Sequence, residues 1–186
     1  MYRNFYQQQN VENRRQNLYA LMLYLPEELD EIIAPLREKF DPLYNQVASH
    51  ITIVFPFESS HALEELTAII KRELENEREF VIELNSIIDF YPQVPMICWR
   101  VKENEHLTSL YYRLHSKLDI PVPFKEYIPH VTVAREISDH RVMLVKEQVF
   151  PYLPTESFRA RSVDFVTPLA NQKWVSVRTF PLLSLD

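Results

Sequence analysis

The chain has 186 residues, 46% hydrophobic and 25% charged, with a formal net charge of −6. That length suits one domain or two closely joined lobes with a substantial core. The acidic balance argues against a coat for long nucleic acid, but leaves room for a pocket in which a few local arginines hold one phosphate or a short RNA end. Glycine is absent, which excludes the Walker loop, the dinucleotide fingerprint and the glycine-flanked nucleophilic serine, each of which needs glycine for a tight turn or a close backbone approach.

Residues 1–17 are polar and mixed in charge, lack the apolar stretch of a secretory signal, and read as a flexible N-terminal arm. From residue 18 a single bilobal domain is expected. Residues 18–25 read as a strand. Pro26 then opens a helix to about Phe40, with Glu27, Glu28 and Asp30 favourable at its N-terminus. A second strand covers 47–55. Ser59 or Ser60 is the expected cap of a helix that turns Leu63, Leu66, Ile69, Ile70 and Leu74 inward, and 80–90 is again strand-like. The order then recurs: a strand at 96–101, a helix at 105–118 with Leu107, Leu110, Tyr111, Leu114 and Leu118 on one face, a strand at 127–134, a helix at 139–149 and a strand at 157–166. A last strand covers 174–182.

Three landmarks fix the repeat. The helix openers Glu27 and Glu105 lie 78 residues apart, His50 and His130 lie 80 apart, and the strand starts Phe80 and Ser157 lie 77 apart. A duplicated β-α-β-α-β unit follows, with halves at about 18–92 and 96–186 and a boundary where Pro92 and Pro95 break the pattern. Many α/β chains alternate in this way without duplication, so the motifs decide. The longest apolar runs fall short of the ~20 residues of a membrane span, and Cys98, in the run Met96, Ile97, Cys98, Trp99, reads as a buried thiol. A cytoplasmic chain with no membrane partner is expected, acting as a monomer.

Each half carries a His-x-Thr in the same element: His50-Ile51-Thr52 and His130-Val131-Thr132. Random order would give about 0.2 such matches in a chain with this content of histidine and threonine. Strand side chains alternate between faces. His50 and Thr52 therefore point together, away from Ile51, Ile53 and Phe55, and His130 and Thr132 point away from Val131 and Val133. If the two strands meet, the cleft holds two imidazoles and two hydroxyls. That set suits phosphodiester cleavage: one neutral imidazole takes a proton from water, the other gives one to the leaving oxygen, and the hydroxyls bond the non-bridging oxygens. Which histidine is the base is left open. Zinc needs three or four ligands, and neither motif brings a carboxylate or cysteine on the same face, so no metal is expected.

The motifs resemble those of the 2H phosphoesterase superfamily, and within it the 2′-5′ RNA ligase-like or RNA 2′,3′-cyclic phosphodiesterase proteins. The resemblance covers nearly the whole chain from about Leu18. It implies an α+β fold of bilobal, duplicated units with antiparallel sheets lining a central cleft and helices outside. It also implies His50 and His130 as the catalytic pair, Thr52 and Thr132 as phosphate ligands, and no metal or other cofactor. The implied activity is opening of a 2′,3′-cyclic phosphate to a 2′-phosphate, on an RNA end or a small cyclic nucleotide, or reversible 2′-5′ RNA joining.

Arg135 is a further phosphate candidate, although strict alternation puts it on the face opposite His130; Phe55 occupies the matching place in the first half. Tyr127, three residues before His130, is the preferred aromatic for stacking a base, ahead of Phe57, Tyr91 and Trp174. Arg159, Arg161, Lys173 and Arg178 cluster late in the chain, where they edge the cleft or form a solvated strand face. The alternatives to an enzyme are a non-catalytic sensor of RNA ends or nucleotides and a purely structural α/β protein.

Overall fold

The computed structural model describes residues 17–124 and 126–185; the N-terminal arm expected at 1–17 lies, but for its last residue, outside the described residues. Among these, eight strands and four α-helices follow in the order β1 (Leu18–Tyr24), α1 (Glu27–Phe40), β2 (His50–Glu58), α2 (Leu63–Leu74), β3 (Phe80–Asp89), β4 (Ile97–Val101), α3 (Glu105–Lys117), β5 (His130–Ala134), α4 (Val142–Val149), β6 (Glu156–Ala160), β7 (Ser162–Pro168) and β8 (Trp174–Pro181). The strands form one antiparallel sheet in the order β6-β3-β4-β5-β2-β1-β7-β8. No helix among the described residues is long and apolar enough to cross a membrane.

The order is symmetric about the β5–β2 seam: β4 and β1 flank it, then β3 and β7, then β6 and β8. The duplication therefore pairs β3 with β7, where the sequence landmarks pair it with a strand starting at Ser157. The single strand expected at 157–166 is two strands broken at Arg161, and they run at opposite ends of the sheet: β6 beside β3 and β7 beside β1. The inward positions change phase at the break, from Phe158 and Ala160 to Val163 and Phe165, but Ala160, Arg161 and Ser162 include no proline, glycine, asparagine or aspartate to mark a turn, which hides the break. The break also scatters the late basic cluster. Arg159 pairs with Glu79 at 3.4 Å on one edge, while Arg178 lies on the other.

Two other boundaries differ. The N-cap of α2 is Ala62, not a serine; the Ser59 hydroxyl accepts instead from the His61 backbone N–H at 3.1 Å. The helix expected at 139–149 begins as a 3₁₀ turn over Asp139–Arg141 before α4.

The main core lies on one face of the sheet, where Ile51, Ile53, Trp99, Val131 and Val133 are fully buried with Ile33, Ile70, Leu107, Leu110 and Leu114 of the helices. Each such Ile, Leu or Val contributes about 1.5–3 kcal/mol. The helices cross between halves: α1 packs on β5 and α3 on β2, so both sides clamp the seam. A smaller apolar cluster of Ala20, Met22, Val47 and Val166 closes the other face beside β1 and β7, leaving the seam as the open part of that face.

Candidate active site

β2 and β5 meet at Ile51 opposite Val131. An antiparallel register around that pair sets His50 across from Thr132 and Thr52 across from His130. Opposite residues share a face, so the four polar side chains form one patch; all four are half-buried, while Ile51 and Val131 behind them are fully buried. Strand alternation thus accounts for the direction of both motifs.

Both rings are held alike. His50 Nδ1 lies 2.8 Å from the Ala48 carbonyl, and His130 Nδ1 lies 2.7 Å from the Ile128 carbonyl, in each case two residues upstream. A carbonyl can only accept, so Nδ1 carries the hydrogen and Nε2 is the nitrogen left for chemistry. Burial pushes both rings down from 6.5 to about 4. The carbonyl contacts oppose that shift. The Arg135 guanidinium adds to it at both histidines, and Arg37 and His130 add to it at His50. Two neutral imidazoles therefore face the cleft at neutral pH.

The nearby cations come from a network that sequence reasoning missed. Arg37, only 2% exposed on the last turn of α1, donates from Nε and Nη2 to Asp41 Oδ2 at 3.1 and 3.0 Å, from Nη2 to the Val47 carbonyl and from Nη1 to Ser49 Oγ, both at 2.9 Å. It thereby braces the backbone on either side of Ala48, whose carbonyl orients His50. The buried Asp41 carboxylate also faces Arg135, whose Nε lies 2.9 Å from Oδ1. That contact is ionic and poorly aligned: the buried Nε has no acceptor in line. The only sequence cue was a charged i,i+4 pair at a helix end, the same signature as a solvated surface pair.

Arg135 does not follow strand alternation, because β5 ends at Ala134. The Arg135 N–H is held by the Phe40 carbonyl at 3.1 Å, and Glu136 turns the chain with φ of +56°. Its charge consequently acts on both histidines. Phe55 also departs from simple alternation. Register shifts between β1 and β2 follow Thr52, and Phe55 lines a small hollow with Phe90, Met96, Phe124 and His130. The Phe90 ring centroid is 5.0 Å from that of His130, and Tyr24 is 6.2 Å from His50 on the other side.

Tyr127 is a wall, not an open platform. It is 8% exposed, its ring stacks on Tyr111 at 4.2 Å, and its hydroxyl donates to the Thr52 carbonyl at 2.8 Å. It fixes β2 from behind. Phe57 is buried and Trp174 packs on the small cluster; Tyr91 is exposed. Among the described residues, Thr132 Oγ1 meets two sulfurs, Met96 Sδ at 3.7 Å and Cys98 Sγ at 4.0 Å, weak partners that a phosphate oxygen would displace. Cys98 is fully buried, and burial pushes its thiol up to about 12. Among the described residues no group of three or more His, Cys, Asp or Glu side chains is placed to hold a metal ion. A cavity of about 620 Å³ lies between α2 and β8, away from the histidines.

Two matched His-x-Thr strands at the seam of a symmetric antiparallel sheet, with helices on the opposite face, define a phosphoesterase of the 2H class. The chain belongs to the 2′-5′ RNA ligase superfamily, whose sequence pattern matches residues 25–172. A Halalkalibacterium halodurans protein named "Putative phosphoesterase BH1439" is 27% identical over 177 residues, covering 88% of this chain and 96% of its own. "Putative phosphoesterase ABC1741" of Shouchella clausii is likewise 27% identical over 173 residues, 88% and 97% of the two chains. Solved structures share the fold at low identity. E. coli LigT complexed with 3′-AMP superposes with a TM-score of 0.64 at 15% identity, over 89% of this chain and 98% of that one. TT0787 of Thermus thermophilus gives 0.62 at 18% identity, over 91% and 100%.

Proposed function

We propose that the chain is a metal-independent phosphodiesterase that opens a 2′,3′-cyclic phosphate, on an RNA end or a small nucleotide, to a 2′-phosphate, working as a monomer in the cytoplasm. The observation that carries this reading is the matched pair of histidines, each with Nδ1 tied to the carbonyl two residues upstream and Nε2 left for the cleft. One Nε2 takes a proton from water as its oxygen bonds to phosphorus. The other returns a proton to the 3′ oxygen as the P–O3′ bond breaks. Thr52, Thr132 and Arg135 hold the non-bridging oxygens as their charge grows. With a 5′-hydroxyl RNA end in place of water, the same groups support 2′-5′ joining: the 5′ oxygen bonds to phosphorus as the P–O3′ bond breaks, and the reverse step, attack by the 3′-hydroxyl with the 5′ oxygen leaving, restores the cyclic phosphate. The base-stacking role expected of Tyr127 is not carried forward, since Tyr111 covers its ring; Phe55, Phe90 and Phe124 beside His130 offer the apolar contact instead. E. coli LigT has been solved with 3′-AMP and with NADP+, which supports a nucleotide in this cleft.

The test is turnover of 2′,3′-cyclic nucleotides by the wild type, His50→Ala and His130→Ala, each with a thermal melt. Both variants should remain folded and lose at least about 100-fold in kcat, the usual yield of one general acid or base, and EDTA should leave the wild-type rate unchanged. Full activity in either variant sinks the two-histidine mechanism. Tight nucleotide binding without turnover would favour a sensor.

A further inference from the structure

We propose that Arg100 forms a second anion subsite, for a phosphate one linkage away from the one that reacts; this rests on the phosphodiesterase reading for the position of the first phosphate. β4 and β5 pair with Arg100 directly opposite His130 and Cys98 opposite Thr132. Directly opposed residues share a face and place their Cβ atoms about 4.5–5.5 Å apart, so Arg100 emerges on the cleft face beside the catalytic imidazole. Burial agrees: Ile97, Trp99 and Val101 belong to the helix-side core, while Arg100 is exposed between them.

Its charge is uncommitted. Among the described residues, Arg37 and Arg135 share Asp41, Lys146 pairs with Asp89 and Lys102 with Glu83, but Arg100 has no carboxylate within ion-pair distance. In a chain of net charge −6, an unpaired guanidinium next to the reacting centre attracts an anion that enters with the substrate. A guanidinium suits phosphate because its planar fork can donate two parallel hydrogen bonds.

The surroundings limit the ligand to one further phosphate. Arg100 also borders a cavity of about 500 Å³ that Glu103, Glu105 and Glu126 line as well. A longer polyanion continuing in that direction would meet carboxylates. The recognised chemistry is therefore a second phosphate close to the first, found both in the last internal linkage of a short RNA end and in the 5′-phosphate of a small nucleotide.

The primary test needs no turnover. Adenosine 2′-phosphate and adenosine 2′,5′-bisphosphate are titrated calorimetrically into the full-length wild type, Arg100→Gln and Arg100→Lys, with melting temperatures recorded for each. The wild type should bind the bisphosphate about tenfold more tightly, the yield of one charge-assisted contact. Arg100→Gln should abolish that advantage and Arg100→Lys should keep part of it. The advantage should also shrink with added salt. Equal affinities in the wild type, or an undiminished advantage in a folded Arg100→Gln, would overturn the subsite. A kinetic arm compares a nucleoside 2′,3′-cyclic phosphate, its 5′-phosphorylated form and a dinucleotide with a cyclic end. A gain in kcat/KM confined to the dinucleotide identifies an RNA end, and one confined to the 5′-phosphorylated form a small nucleotide. Failure of all three to turn over, with the bisphosphate advantage intact, refutes hydrolysis but leaves the Arg100 site standing.

Discussion

Lowering the pH from 7.5 to 5.0 should destabilise this protein through its two active-site histidines. Both rings titrate at about 4 in the folded chain against an ordinary 6.5. As the pH falls through 6.5 the unfolded chain takes up protons that the folded chain refuses, so stability present above 6.5 drains away between about 6.5 and 4 and does not recover below. Over the interval from pH 7.5 to 5.0 the linkage relation gives about 2 kcal/mol for each ring. Each ring is partly open to the cleft, and solvent screening reduces the figure to about 1 kcal/mol, or about 2 for the pair. Urea unfolding at both pH values, for the wild type and the double variant His50→Gln/His130→Gln, isolates the effect, because carboxylates titrate alike in both proteins. The wild type should lose about 2 kcal/mol more than the variant. Equal losses in the two proteins would show that the folded rings titrate near 6.5 and would refute the desolvation argument.

The buried network gives a second expectation. Asp41→Asn leaves Arg37 and Arg135 side by side with no carboxylate, and breaking a buried pair in this way costs about 3–5 kcal/mol, readable as a drop in melting temperature. Tyr127→Phe removes the hydroxyl that bonds the Thr52 carbonyl and leaves a buried acceptor unsatisfied. A loss of about 1–3 kcal/mol in chemical denaturation should follow, with little change in nucleotide affinity; a large fall in affinity with stability intact would restore Tyr127 as a base platform.

The sequence was most legible where local rules and packing agreed. Six of the eight strands and the four helices were placed within a few residues, because period-2 and period-3.6 apolar patterns mark which face is buried. Alternation alone put His50, Thr52, His130 and Thr132 on the open face. The failures share a cause: they depend on which strand lies next to which. The break at Arg161 sends two short apolar runs to opposite ends of the sheet, yet no turn residue separates them. Arg100 faces the site only because β4 pairs with β5 in one register, and nothing local distinguishes it from a solvated arginine. Phe55 reached the cleft through register shifts, and Arg135 reached the histidines through a left-handed residue after its strand. The buried role of Arg37 and Asp41 depends on where α1 docks, which its own sequence does not state.

The charges around the histidines bear on a difficulty in the proposed reaction. With both rings at about 4, roughly one in a thousand of each is protonated at pH 7, yet the leaving oxygen needs a proton. The depressing influences are burial and the positive charge of Arg135 at both rings, with Arg37 and His130 adding to them at His50. A bound phosphate reverses the electrostatic part, since its negative charge meets the guanidinium of Arg135 and stands against both Nε2 atoms. An adjacent opposite charge favours the protonated ring, and a return to about 6.5 requires about 3.4 kcal/mol of added attraction. A charge-assisted hydrogen bond in a partly desolvated cleft supplies most of that. The free protein thus holds two neutral bases, and the substrate itself recruits the acid. On this reasoning the apparent pKa of the acidic group is lower in kcat/KM, which reports the free protein, than in kcat, which reports the complex. Identical pKa values in the two profiles would mean that the proton is already in place before the phosphate arrives.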